Sequence, residues 1–314
     1  MSAPSYLIVG GTTKAATTSL FAWLADHPAV SAARIKETRF FLDLDYPLDS
    51  KHRFPDGLER YETFFAPSDD RMGRVRVEAT PDYLHSSGCA ERIARGLPGA
   101  RVVFSLRDPL TRLWSWYRYA RQTARLEEGA GFEDFLARQL PAGTSGAPQE
   151  RRALEQGAYA GSLERFFEAF GRERVHVLFF EELVAAPLER MEALARFAGL
   201  DPAFYRDHRF PVQNPTRDVR SPALERGTMR LAYHARNLTY RVPLVQGALR
   251  AVRRSLAPLF RRVGTRATSG ETMAAGTKAE LVEHYAPSVR ALEELLGRSV
   301  PWPDFTRPGV RSAS

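Results

Sequence analysis

The run Tyr6-Leu-Ile-Val-Gly-Gly-Thr-Thr-Lys-Ala-Ala-Thr-Thr-Ser-Leu20 constrains the fold more tightly than any other part of the chain. It opens on an apolar segment, Tyr6 to Val9, of the kind that forms a buried parallel strand. Two glycines, a lysine and two threonines follow, and then a helical pattern with Leu20, Phe21, Trp23 and Leu24 on its apolar face. Strand, small-residue loop and helix start together make a phosphate cradle, because the free backbone amides and the helix dipole attract an anion. Lys14 adds a full positive charge, and Thr17 and Thr18 add hydroxyl donors. A tight strand–helix turn carrying a solvated lysine would read the same way. The P-loop of nucleoside triphosphatases requires Gly immediately before the lysine and Ser or Thr immediately after it. Thr13 and Ala15 stand there instead, so that pattern fails on both sides.

A chain of 314 residues is long enough for one large α/β domain or two smaller ones. Lys and Arg exceed Asp and Glu by 45 to 37, a net charge of +8 that favours anionic partners. Nucleic acid fits that charge, but no zinc-finger spacing or RNP aromatic motif accompanies it, so no nucleic-acid partner is expected. No apolar run reaches the length of a membrane-spanning helix. The first strand begins without a basic segment and apolar core ahead of it, and Cys89 has no second cysteine to pair with. Both point to a reducing, cytoplasmic setting. Cys89 reads as a packed small residue. No His/Cys cluster suggests a metal, and none is expected.

Further along, Lys36-Glu-Thr-Arg-Phe-Phe41 sets charges beside adjacent aromatics, the pattern of a loop anchored to the core by its phenylalanines. A short helix is expected around Leu58–Phe65 and a strand over 74–78, broken by Ala79-Thr-Pro-Asp-Tyr83, since Pro81 cannot continue a central strand. Ala100-Arg-Val-Val-Phe-Ser-Leu106 is a second clear strand. It ends in Arg107-Asp-Pro109, with Asp108 placed to cap the next helix and Leu110, Leu113, Trp114 and Tyr117 as its stripe. Residues 127–150 read as a mobile connection, a candidate substrate lid. A helix follows from Gly157 with Ser162 as its cap, then a strand over 174–180 and a helix from Leu188 to Phe197. Glu181 and Glu182 read as loop-ordering groups, and His176 as a strand residue without a ligand role. The basic region 225–263 reads first as a solvated helix face and second as a contact with an acidic acceptor or, through 250–262, with a membrane surface. Leu281 to Leu296 reads as an amphipathic helix ending at Gly297.

Several of these segments resemble sulfotransferases that use 3′-phosphoadenosine 5′-phosphosulfate (PAPS). Lys14-Ala-Ala-Thr-Thr18 is similar to their 5′-phosphosulfate loop, and Lys36-Glu-x-x-Phe-Phe41 to a motif of the heparan-sulfate and related bacterial type. Val77-Glu-Ala-Thr-Pro-Asp-Tyr83 resembles their Glu-Lys-Ser/Thr-Pro-x-Tyr, with Ala79 where those relatives place a lysine. Arg107, with Ser115 eight residues later, resembles their 3′-phosphate pair. Arg266-Ala-Thr-Ser-Gly-Glu-Thr272 is a weak match to a loop that closes over the nucleotide. The likeness extends over most of residues 5–120 and 157–302, including the ending at Trp302.

The resemblance implies a single P-loop-like α/β domain, a central parallel sheet flanked by helices on both faces, with inserts at 127–150 and about 222–265. It implies transfer of a sulfuryl group from PAPS to an acceptor, a hydroxyl of a carbohydrate, lipid or small natural product, leaving adenosine 3′,5′-bisphosphate and needing no metal. Lys14, Ala15, Ala16, Thr17, Thr18 and Ser19 would surround the 5′-phosphate, Arg107 and Ser115 the 3′-phosphate, and Arg266 the closing loop. Glu37 would be the base and Lys36 would lie near the sulfuryl group. Ala79 removes the alternative reactive side chain at that point, which leaves His85 in reserve. Two other readings are a P-loop-like kinase, which lacks its Gly-Lys-Ser/Thr here, and a noncatalytic nucleotide-binding protein.

Overall fold

The computed structural model describes residues 5–66, 75–123, 125–127, 129–141, 146–148, 151–211 and 271–306, and the backbone of 218–219 and 265–266. The apolar runs form a parallel sheet in the order β2-β3-β1-β4-β5. Its strands are β1 (Tyr6–Gly11), β2 (Val30–Ala32), β3 (Val75–Ala79), β4 (Arg101–Leu106) and β5 (Val175–Phe179). Every residue of β1 is buried, as the central strand of a sheet covered on both faces must be. The register sets Ile8 between Glu78 and Val102, and Gly11 beside Ser105.

Alternation along the strands feeds two cores. On one face Leu7, Val9, Val77, Val103 and Leu178 pack with Leu20, Trp23 and Leu24 of α1 (Thr17–Ala25) and with Met191, Leu194 and Ala195 of α8 (Pro187–Ala198). Burying each of the larger of these side chains stabilises the fold by about 1.5–3 kcal/mol. On the other face the Phe104 ring meets Phe166 of α6 (Ala160–Phe170) edge-on at 4.6 Å, and α3 (Cys89–Gly96) packs against α6. The expected parallel sheet with helices on both faces is therefore the observed one. Among the described residues the other α-helices are α2 (Leu58–Glu62), α4 (Pro109–Gln122), α5 (Phe132–Ala137), α7 (Phe180–Ala185) and α9 (Ala275–Leu296).

The chain divides into two compact units. The first comprises Met1–Leu113, Gln139–Asn214 and Gly276–Ser314 and holds the parallel sheet. The second comprises Trp114–Arg138 and Pro215–Ala275. Within it, Phe132 of α5 meets Trp114 at 4.9 Å and Tyr117 at 5.3 Å, and Arg121 pairs with Glu271 at 2.8 Å. A short antiparallel pair, β6 (Asp218–Val219) with β7 (Thr265–Arg266), also belongs to it. Most of the basic insert, including 250–262, lies outside the described residues, as do parts of 127–150.

Local differences from the sequence pattern have physical causes. Ala79 is still in strand, and the break comes at Pro81, which starts a 3-10 turn running to His85. α6 begins at Ala160, ahead of the expected cap Ser162. Its entry is held by tertiary contacts, for the Tyr159 hydroxyl donates to the Arg107 carbonyl at 2.7 Å. In α4 it is Trp116, not Trp114, that is fully buried, and Arg112 is buried as well. The helix is enclosed on more sides than its apolar stripe requires. Asp108 caps it as expected, accepting from the amides of Leu110 at 2.8 Å and Thr111 at 3.0 Å.

Candidate active site

In open parallel sheets a ligand crevice forms at the carboxyl edge where neighbouring strands send their connections in opposite directions. Here that point lies between β1 and β4, since β1 leads out toward β2 and β4 leads to β5 on the other side. The Lys14 loop leaves β1 at this edge and Arg107 leaves β4 beside it. Gly11 makes the turn at φ 128°, where a Cβ would stand 2.3 Å from the Ser105 carbonyl oxygen. The loop is then closed by three bonds. Thr12 N–H donates to the Ser105 carbonyl at 3.1 Å, Ala15 N–H donates to the Thr12 carbonyl at 3.2 Å, and the Ser105 hydroxyl donates to the Ala15 carbonyl at 2.5 Å.

Lys14 and Ala16 both hold left-handed backbone, at φ 79° and 60°. Such residues cost about 1–3 kcal/mol each and persist where surrounding structure forces them, commonly at ligand sites. Ala16 is the N-cap of α1 without a side-chain cap, and no acidic residue occupies the first turn. The first intrahelical bond runs from Leu20 N–H to the Ala16 carbonyl at 3.0 Å. The amides of the first turn thus face out of the helix end, with Thr17, Thr18 and Ser19 carrying hydroxyls beside them.

Arg107 bridges the two strand ends. Its Nη1 donates to the Lys14 carbonyl at 3.0 Å, its Nε to the Thr111 hydroxyl at 3.2 Å, and its guanidinium stacks over Phe180 at 4.5 Å. Glu181 orders the loop below, as its position suggested. One carboxylate oxygen accepts from Asp108 N–H at 3.0 Å, and the other from Trp302 Nε1 at 3.0 Å. Ser115 is buried on α4 and belongs to the second unit. Arg266 sits in β7 of that unit; its side chain lies outside the described residues.

The turn 36–39 meets the start of α1 through Lys36. Lys36 Nζ lies 3.3 Å from the Thr17 hydroxyl and 3.2 Å from Glu37 Oε1, so one ammonium joins the loop's helix to the carboxylate. Glu37 Oε2 accepts from Arg39 Nη2 at 3.0 Å. Burial pushes the Glu37 carboxyl up, but Lys36 and Arg39 together outweigh it and hold the group below the usual carboxylate range. Arg39 escaped the sequence reading; only its place two residues past Glu37, inside a charged run, could have signalled it.

Beneath this turn lies a second carboxyl that sequence reasoning passed over. Glu78 is fully buried on β3, and burial pushes it up to about 7. The Thr80 hydroxyl donates to its Oε2 at 2.9 Å, while Oε1 is buried with no partner. His85 lies in a different environment, its Nε2 buried without a partner. Burial and then Arg112, Arg152 and Arg165 drive it well below its ordinary value and keep it neutral. None of those arginines belongs to the 12–18 loop or the 36–39 turn. His176 packs on Phe197 at 5.1 Å in β5, in keeping with a strand residue. Among the described residues, no group of three or more His, Cys, Asp or Glu side chains is arranged to hold a metal, and no helix is long and apolar enough to cross a membrane.

A family model described as a sulfotransferase domain matches residues 57–210, which include Glu78, Arg107 and Ser115 and stop short of the Lys14 loop. A bifunctional heparan sulfate N-deacetylase/N-sulfotransferase 4 of Mus musculus is 27% identical over 210 residues, covering 64% of this chain and 23% of that protein. The human N-deacetylase/N-sulfotransferase 3 is 28% identical over 211 residues with the same coverage, 64% and 23%. The chain thus spans under a quarter of the length of these relatives. The crystal structure of a sulfotransferase from Alicyclobacillus acidocaldarius is similar throughout, with a TM-score of 0.66 and 23% identity over 96% of this chain and 98% of that one. At that identity the likeness speaks for the fold.

Proposed function

We propose that the chain is a PAPS-dependent sulfotransferase, moving a sulfuryl group from PAPS to an acceptor. The observation that carries this reading is the junction of the β1 and β4 ends. There the left-handed Lys14 loop, the uncapped start of α1 and the Arg107 guanidinium meet through the Lys14 carbonyl. The residues fit a nucleotide with phosphates at both ends of its ribose. Amide donors and hydroxyls at Thr17, Thr18 and Ser19 suit a 5′-phosphate, and the Arg107 guanidinium suits a 3′-phosphate by charge.

When bound, PAPS supplies an activated sulfuryl group on a phosphate leaving group. Lys14 stabilises negative charge growing on the leaving oxygen. Lys36, already at hydrogen-bond distance of Thr17, adds a second positive charge to the same helix start. Glu37 takes the acceptor's proton. The acceptor class is a hydroxyl of a carbohydrate, lipid or small natural product. An amine acceptor is the second reading. It is favoured by one observation: a carboxylate held below its usual range by two cations is a weak base, and an amine needs little deprotonation. The relatives named N-sulfotransferases agree with that reading. Cys89 is buried in α3 with its thiol pushed well up by burial, and we retain the reducing, cytoplasmic setting as part of the proposal.

The test is a titration with adenosine 3′,5′-bisphosphate, AMP and ADP. The bisphosphate is expected to bind best, and Arg107→Ala to remove about 1.5–3 kcal/mol of its advantage over AMP, the value of a hydrogen bond to a charged group. Equal affinity for the three nucleotides in the parent protein would refute the reading, and preference for ADP would favour a kinase.

A further inference from the structure

We propose that Arg39 is a positioning residue for the transfer: its guanidinium fastens Oε2 of Glu37, so that Oε1 is the single oxygen able to turn to an acceptor. The inference rests on the reading of Glu37 as base, and it comes from an asymmetry between the two cations on that carboxylate.

Arg39 is anchored through both Nη atoms and through its backbone, while its Nε is buried without a partner. Its Nη2 holds Glu37 Oε2 at 3.0 Å while its Nη1 donates to the Asp49 carbonyl at 3.0 Å. Its backbone is left-handed at φ 57°, a conformation that a long side chain adopts only under constraint. The constraint is visible. Arg39 N–H donates to the Thr80 hydroxyl at 3.2 Å, and that hydroxyl is fixed in turn by buried Glu78 at 2.9 Å. The Arg39 carbonyl accepts from Arg53 Nη1 at 3.2 Å. A rigid planar fork with two partners cannot leave one of them without disturbing the other.

Lys36 is the opposite case. It is a compact ammonium on a flexible stem, shared between Glu37 Oε1 at 3.2 Å and the Thr17 hydroxyl at 3.3 Å. Thr17 opens the helix end that attracts anions. An anion placed there competes for Lys36 and uncovers Oε1, whereas Oε2 stays on Arg39. The charged groups around Glu37 are thus Lys36 and Arg39 on its own turn, with Arg53 behind the Arg39 carbonyl and Glu78 behind Thr80. From α1 the neighbour is the neutral Thr17. The carboxylate is presented by one edge, on the side of Lys36 and Thr17.

The experiment follows the Glu37 carboxyl directly by carbon-13 NMR in the unloaded protein, assigned by its loss in Glu37→Gln. Parent, Arg39→Gln and Arg39→Lys are titrated with acid, and each is also titrated with adenosine 3′,5′-bisphosphate. Arg39→Gln is expected to raise the Glu37 midpoint by about 1 on the pH scale, as loss of one neighbouring cation does. Arg39→Lys should return it most of the way. Bisphosphate affinity should stay within about twofold in all of them, while single-turnover transfer falls by roughly tenfold or more in Arg39→Gln through misplacement of the base. Should Arg39→Gln fail to fold, Arg39→Lys carries the test: its transfer rate must fall while its midpoint stays near the parent's. An unmoved midpoint in Arg39→Gln, or bisphosphate affinity that falls with the midpoint, overturns the assignment. A parent protein that binds no bisphosphate would refute the sulfotransferase reading and leave the Glu37 titration readable by itself.

Discussion

Glu78→Gln isolates the cost of a buried carboxyl at the end of the central sheet. Glu78 is fully buried, one of its oxygens has no partner, and burial moves its carboxyl from 4.5 to about 7 in the folded protein. The acid form is therefore favoured by folding. Between those two values the folded chain binds the proton and the unfolded chain does not, so stability falls as pH rises through the window. The span is about 2.5 on the pH scale, and at 1.36 kcal/mol for each step of one it amounts to about 3 kcal/mol lost between pH 4.5 and pH 8. Glutamine has the same shape and no such proton. Near pH 4.5 the variant should match the parent or fall slightly below it, because the amide must fit the Thr80 hydroxyl. At pH 8 it should be the more stable by a large part of 3 kcal/mol. Urea unfolding of both proteins at pH 5, 6, 7 and 8 gives the difference at each pH, which cancels titrations common to the two chains. Parallel stability profiles across that range would show that Glu78 stays ionised in the fold, and the argument from burial would be wrong.

Other expectations concern the site. Glu37→Gln should leave bisphosphate affinity nearly intact and lower single-turnover transfer by about 10²–10⁴-fold, the scale of a lost general base. Full activity there, with His85→Ala inactive, would move the role to His85. Because Glu37 is held below the usual carboxylate range, the acid limb of transfer should lie below pH 4.5 in the unloaded-enzyme parameter kcat/KM, and a limb near pH 6 would contradict the pairing with Lys36 and Arg39. Lys14→Ala should reduce kcat more than it weakens bisphosphate binding; an effect on affinity alone would exclude the leaving-group role. Gly11→Ala should destabilise the fold by about 2–4 kcal/mol, measured by thermal unfolding, since the added carbon meets the Ser105 backbone and the φ of 128° is strained for any other residue.

The sheet and its phosphate-type loop were legible because each is written locally. Apolar runs mark Tyr6–Val9 and Val102–Leu106, small residues mark the turn after β1, and Asp108-Pro109 marks the start of α4. The adjacency of β1 and β4, which sets Arg107 on the Lys14 carbonyl, is a property of strand order, and strand order depends on packing between residues some ninety positions apart. The same holds for Trp116 and Arg112, whose burial no stripe on α4 foretells.

Residue types near the site were also readable: a lysine, threonines, a glutamate and an arginine in recognisable order. Their electrostatic state was not. From the sequence, phenylalanines beside Glu37 argued for a raised carboxyl and Lys36 for a lowered one, with no means of weighing them. The fold decides the balance by turning Arg39 back on Glu37 through a left-handed residue fastened to Thr80, and by setting Lys36 between Thr17 and the carboxylate. It likewise makes Glu78 a buried acid and isolates His85 among arginines. Covalent order specifies which groups exist and which backbone shapes they prefer. Charge interactions depend on distance and on exclusion of water, and both are set only when remote segments pack together.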